Sequence, residues 1–147
     1  MKIIHLRRAL APVFLLRIAS VLLPVPALAH EYYAKSFKII HPWALPAERS
    51  EKTAAVYVKF EEIFDGDRLV GVRTPLAEAV EIRQAGRSDT VPTLDLPAGK
   101  TIDLQPQGTH LLMVNLTGSL EMGRNYPMTL QFEKSGNIAV QLSVGSH

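Results

Sequence analysis

Short β-prone segments separated by turn signals, with no convincing long amphipathic helix among them, constrain this chain more than any other feature. Ser36–His41, Thr53–Phe60, Arg68–Thr74, Ala79–Arg83, Thr101–Leu104, His110–Leu116, Tyr126–Glu133 and Ile138–Val144 are rich in Val, Ile, Leu, Phe and Tyr, and several alternate with polar residues. Between them stand Pro42 and Pro46, Asp65-Gly66-Asp67, Gly86 to Asp89, Pro97-Ala98-Gly99, Pro106-Gln107-Gly108, Gly123-Arg124-Asn125 and Ser135-Gly136-Asn137. Strands at this spacing predict an all-β sandwich or Greek-key barrel. No repeat, low-complexity tract or linker divides residues 30–147, so they are predicted to form one domain.

Residues 1–29 read as a secretory signal peptide. Lys2, Arg7 and Arg8 form a basic head, an apolar stretch follows, and Ala27-Leu28-Ala29 makes a small-x-small cleavage site. Arg17, Pro24 and Pro26 interrupt the apolar run, so neither half reaches the ~20 residues of a membrane span. The whole chain has 16 Lys+Arg and 14 Asp+Glu, a formal +2. Lys2, Arg7, Arg8 and Arg17 lie in the leader, which has no acid; removing it leaves 12 bases against 14 acids, a formal −2. With no Lys/Arg-rich tract left, the footprint of a nucleic-acid binder is missing.

The absence of cysteine excludes a disulfide framework, a thiolate metal site and a thiol nucleophile. No G-x-S-x-G elbow, phosphate loop or H-E-x-x-H is present, so no catalytic residue is assigned. Asp65-Gly66-Asp67 lacks the rest of a calcium loop and reads as a plain turn.

Histidine remains. Cleavage after Ala29 makes His30 the first residue of the exported chain. Its α-amine and Nδ1 can then close a six-membered chelate ring on one metal, and a second imidazole completes a planar three-nitrogen set, a histidine brace. Cu(II) favours such tetragonal nitrogen ligation. The amine is available near neutral pH, with an unperturbed pKa of about 8. The competing reading of His30 is an arbitrary polar residue on a frayed terminus.

The order His30-Glu31-Tyr32, Ile40-His41-Pro42-Trp43-Ala44, Thr53-Ala54-Ala55-Val56-Tyr57-Val58 and Asp67-Arg68-Leu69-Val70-Gly71-Val72 resembles the periplasmic copper chaperone PCu(A)C family. Ala79-Val80-Glu81-Ile82, Leu96-Pro97-Ala98-Gly99, Gly108-Thr109-His110-Leu111 and Thr129-Leu130-Gln131-Phe132-Glu133 extend the resemblance over nearly all of residues 30–147. It implies a small cupredoxin-like β-barrel that carries copper outside the cytoplasm, often for oxidase assembly. It also implies a Cu(I) site of two His and Met ligands, and there this chain departs. Arg83 stands at the first His position, the loop from Gln84 to Thr93 has no Met, and Leu112 replaces the Met two residues after His110. Strand alternation puts Met113 on the face opposite His110, so Met113 substitutes only if a bulge shifts the register.

Loss of the soft ligands with retention of His30 and His110 is what a change from Cu(I) to Cu(II) requires. The expectation is therefore a periplasmic Cu(II)-binding chaperone or buffer. His30 gives amine and Nδ1, His110 gives one imidazole nitrogen, and the partner is a periplasmic or membrane-bound copper-accepting protein. The alternative is a metal-free scaffold serving as an interaction module; a brace-type oxygenase has the least support. Arg83 would repel a cation unless it points to solvent or pairs with Glu81. His41 ends a strand before Pro42-Trp43 and the resemblance puts it outside the usual copper site, so it is expected as a packed or hydrogen-bonded core-edge histidine; at ~3.3 Å per residue the chain from His30 to His41 spans roughly 35 Å, so the two meet only if that segment folds back. His147 ends a Gly145-Ser146-His147 tail where a weak metal contact could form. Trp43 and Tyr57 read as core or surface-anchoring aromatics.

Overall fold

The computed structural model describes residues 30–145, so the expected leader and His147 lie outside the described residues. These form strands and no helix: β1 (Glu31–Tyr33), β2 (Lys38–Ala44), β3 (Thr53–Glu61), β4 (Asp67–Arg73), β5 (Ala77–Arg83), β6 (Thr90–Val91), β7 (Leu94–Leu96), β8 (Ile102–Asp103), β9 (His110–Leu116), β10 (Asn125–Phe132) and β11 (Gly136–Val144). They make one sheet in the order β6-β5-β9-β3-β2-β11-β10-β4-β7, with β1 on β2 and β8 on β3. All pairings are antiparallel except β11 with β2, which run parallel at Ser143↔Trp43 and Val144↔Ala44. Thr74, Pro75 and Leu76 alone separate β4 from β5, yet these strands lie towards opposite ends of the sheet order. The sheet therefore curls until its ends nearly meet, giving the barrel that the alternating segments predict, cupredoxin-like as the resemblance implies.

Alternate residues of each strand fill the interior. Phe37, Phe60 and Phe132 pack edge to face, with ring centroids 4.9 Å apart for Phe37 and Phe132 and 6.0 Å for Phe60 and Phe132. Ile39, Val56, Leu69, Leu96, Leu111, Met113, Leu130 and Leu142 are fully buried around them. In β9, Leu111 and Met113 face inward while His110 and Leu112 lie half-buried on the outer surface. Its register with β5 (Arg83↔His110 to Val80↔Met113) and with β3 is unbroken over these residues. No bulge turns Met113 outward, so it is core and not a substitute ligand.

Two local features depart from the sequence expectation. The strand expected to stop at His41 continues to Ala44, because a bulge absorbs Pro42: pairing steps from Ile40↔Lys59 to Trp43↔Tyr57, so His41 and Pro42 together oppose Val58. The cost is a positive φ of 45° at His41. The second is Asp67, expected in a plain turn but found buried at the start of β4. Its carboxylate accepts backbone N–H groups of Arg68 at 2.7 Å, Lys134 at 2.9 Å and Ser135 at 3.0 Å. Burial pushes its pKa up, but the Lys134 N–H, the Ser135 side chain and the Arg68 and Ser135 N–H groups outweigh burial and hold it below the usual carboxylate range.

Candidate metal centre

A tight reversal at residues 34–37, closed by the Ala34 N–H on the Phe37 carbonyl at 2.9 Å, folds the amino end back onto β2. The register Glu31↔Ile40, Tyr32↔Ile39 and Tyr33↔Lys38 leaves His30 opposite His41. The His41 N–H donates to the His30 carbonyl at 2.9 Å, and the two imidazoles stack with centroids 6.4 Å apart and planes 20° from parallel. The 35 Å of contour is thus folded into a contact. His41 carries the backbone strain of the bulge at the same point, and such strain concentrates at functional positions.

Tyr32 holds this hairpin down. Its ring packs against the core, and its hydroxyl oxygen accepts the Gln141 N–H of β11 at 2.8 Å. On the outer side Tyr33 donates to Glu31 Oε2 at 3.1 Å, and Lys38 sits 5.7 Å over the Tyr33 ring. Tyr32→Phe is expected to accelerate hydrogen exchange at the Gln141 amide and to cost about 1 kcal/mol. Unchanged exchange there would mean that Tyr32 does not hold β1.

His110 lies elsewhere on the surface. In the order β1-β2-β3-β9, three inter-strand steps of about 4.8 Å separate the strand of His30 from that of His110. Along this outer face the Trp43 and Tyr57 rings lie 4.6 Å apart with planes tilted by 43°, and Tyr57 lies 6.3 Å from the His110 ring. Nδ1 of His110 is 2.8 Å from the Gly108 carbonyl. A carbonyl only accepts, so Nδ1 carries the proton and Nε2 presents its lone pair. Beside it, Arg83 pairs with Glu81 through Nη2 at 2.6 Å and Nε at 3.1 Å and donates from Nη1 to the Ser88 carbonyl at 3.0 Å. Arg83 therefore takes the Glu81 pairing considered from the sequence.

The structure thus joins His30 to His41 and leaves His110 apart from both. Among the described residues no group of three or more His, Cys, Asp or Glu side chains could hold a metal ion. Two imidazoles need a further donor, which a free α-amine on His30 would supply. What sequence reasoning missed was the place of His41. The available cue was the pair of short β-prone stretches, Glu31–Tyr33 and Lys38–Ile40, flanking a four-residue reversal.

The family model described as LpqE-like matches residues 37–144. Among solved structures, the copper-bound PCuAC domain from PmoF2 is 28% identical with a TM-score of 0.73, covering 80% of this chain and 99% of that one. The apo PCuAC domain from PmoF1 is also 28% identical, with a TM-score of 0.74 over 80% of this chain and 100% of that one. The solution structure of Cu(I)-DR1885 from Deinococcus radiodurans, 24% identical, shares the fold at a TM-score of 0.64 over 81% of each chain. No curated protein sequence matches.

Proposed function

This chain belongs to the LpqE-like family and carries a PCu(A)C domain, and from that premise we propose that it is an exported copper-binding protein. It holds Cu(II) at a histidine brace on its amino terminus and delivers copper to, or buffers it for, a periplasmic or membrane-bound acceptor. In this reading residues 1–29 are the cleaved leader and residues 30–147 the working domain. The family description refers to a lipoprotein, in keeping with export. No helix among the described residues is long and apolar enough to cross a membrane. In this reading copper is the cargo and the protein's task is binding; support comes from the similar PCuAC domain from PmoF2, which is copper-bound.

The observation that carries the reading is the stacking of His30 on His41. With a free amine, His30 offers two nitrogens in one chelate ring and His41 a third from the facing strand. Met113 and Met128 are sealed in the core, and the exposed Met122 lies in the turn before β10 and not in the β1–β2 hairpin, so the paired histidines offer nitrogen donors, which favour Cu(II) over Cu(I). The pairing of His30 with His110, expected from the sequence, is the second arrangement; it requires the hairpin to move across β2 and β3, whereas the pairing with His41 requires only a rotation of two adjacent rings.

Electron paramagnetic resonance of the Cu(II)-loaded chain beginning at His30 separates the two. His41→Ala is expected to remove one nitrogen coupling and weaken binding roughly 100-fold, the worth of about one donor in a four-donor site. His110→Ala should leave the spectrum unchanged. The reverse result would assign the second imidazole to His110. If neither variant changes the spectrum, the brace reading fails; if the parent chain binds no Cu(II), the metal-free scaffold takes its place.

A further inference from the structure

A groove of about 400 Å³ opens on the outer face between the loop 84–88 and the turn 105–108. Arg83, Arg87, Gln84, Gln107 and His110 supply its polar wall, and no Asp or Glu lines it. Two other surface hollows are acidic or mixed, one lined by Glu48, Glu51 and Glu121 and another by Asp67, Asp95 and Glu133 together with Arg68 and Lys134, while a smaller one beside Thr74 and Pro127 carries a single arginine, Arg73. Two arginines and no carboxylate thus share one concave wall, on a domain whose residues 30–147 carry a formal −2, and Glu81 offsets the charge of Arg83 from outside that wall. With Arg83 offset by Glu81, Arg87 leaves the wall a positive balance that draws in a small anion.

The individual donors narrow the ligand's chemistry. The bonds to Glu81 and Ser88 hold the Arg83 guanidinium still while leaving one N–H on each of its terminal nitrogens. The ordering of that side chain is complete before a ligand arrives. Arg87 adds a second guanidinium, and guanidinium groups recognise carboxylate and phosphate oxygens with two parallel bonds. His110 makes the opposite demand. With its proton committed to the Gly108 carbonyl, Nε2 is an acceptor at the groove wall. A fully deprotonated anion would set an oxygen lone pair against it. An anion that also carries an O–H satisfies both, giving its charged oxygens to the arginines and its proton to Nε2.

We propose that this groove binds a small oxyanion bearing an O–H donor, the chemistry shared by hydrogenphosphate and α-hydroxycarboxylates. The site is distinct from the amino-terminal copper centre and does not depend on it.

The test is an amide NMR titration of the metal-free chain beginning at His30, at mildly alkaline pH and constant ionic strength, with inorganic phosphate, citrate and sulfate. Saturating shifts confined to Gln84–Ser88 and Gln107–His110 are expected with phosphate or with citrate, and whichever saturates at lower concentration identifies the source. Sulfate, which has no O–H, should bind at least about tenfold more weakly. Arg87→Gln should weaken the preferred anion roughly tenfold, the worth of a charge-assisted hydrogen bond. His110→Leu should erase the preference over sulfate. Non-saturating shifts, shifts outside the groove, sulfate binding as well as phosphate and citrate, or an Arg87→Gln variant that binds like the parent would each overturn the proposal.

Discussion

One residue added in front of His30 is expected to abolish tight Cu(II) binding while leaving the barrel intact. The extension turns the His30 α-amine into a peptide nitrogen whose lone pair is delocalised into the carbonyl, so the six-membered chelate with Nδ1 cannot form. A structural metal in a four-donor site is worth about 10–16 kcal/mol, or about 3 kcal/mol a donor, which sets the loss at roughly 100-fold or more. Stability should not change, because His30 is exposed and the first strand begins at Glu31. Chelator competition and the Cu(II) spectrum of the two chains read the first effect, and metal-free melting curves read the second. Equal affinities would remove the amino terminus from the site, whatever the histidine variants show.

Replacement of Asp67 by Asn is expected to be among the most destabilising single polar changes in the domain. One carboxylate oxygen accepts the Arg68 and Lys134 N–H groups and the other accepts the Ser135 N–H, tying the start of β4 to the turn between β10 and β11. An amide keeps one acceptor and points an N–H at the other donor. Loss of the charge and exposure of a buried N–H to a second donor cost about 3 kcal/mol, a large share of the ~5–15 kcal/mol that holds a domain together. The pH dependence has a definite sign. The folded-state pKa of Asp67 lies below its unfolded value of about 3.9, so its contribution is fully present above that value and is lost as pH falls through the folded pKa. Urea unfolding of the parent should show this fall in stability on acidification, and Asp67→Asn should flatten it while lying lower at neutral pH. A variant as stable as the parent at neutral pH would show that the carboxylate clamp contributes nothing.

The barrel was legible because alternation at period two survives any tertiary detail. Residues such as Leu111, Met113, Leu130 and Leu142 fall on the inward face by counting alone, and Met113 was separated from His110 by the same count. The strands β1, β6 and β7 were not anticipated, since two or three residues carry little alternation of their own; β8, equally short, was seen only within the longer segment Thr101–Leu104. The end of β2 was misplaced because Pro42 ordinarily stops a strand, and only pairing with β3 shows that a bulge accommodates it. Asp67 looked like a turn residue because two of the N–H groups that hold it come from Lys134 and Ser135, more than sixty residues away in the chain.

For the site, composition and order alone determined that thiolate chemistry is absent and that His30 gains chemical meaning once the chain is cut before it, while the resemblance to the PCu(A)C family implied that Arg83 and Leu112 stand at copper-ligand positions. These are properties of covalent sequence and donor chemistry, independent of distance. Which imidazole lies beside His30 is a matter of distance. It was decided by the four-residue reversal closed between Ala34 and Phe37, the register of β1 on β2 and the bulge against β3 that turns the backbone at His41, all set by backbone hydrogen bonds that composition does not show. The same pairing of β5 with β9 placed Arg83 beside His110 and made an arginine-lined groove from residues that sequence reasoning had weighed only as kept or lost metal ligands.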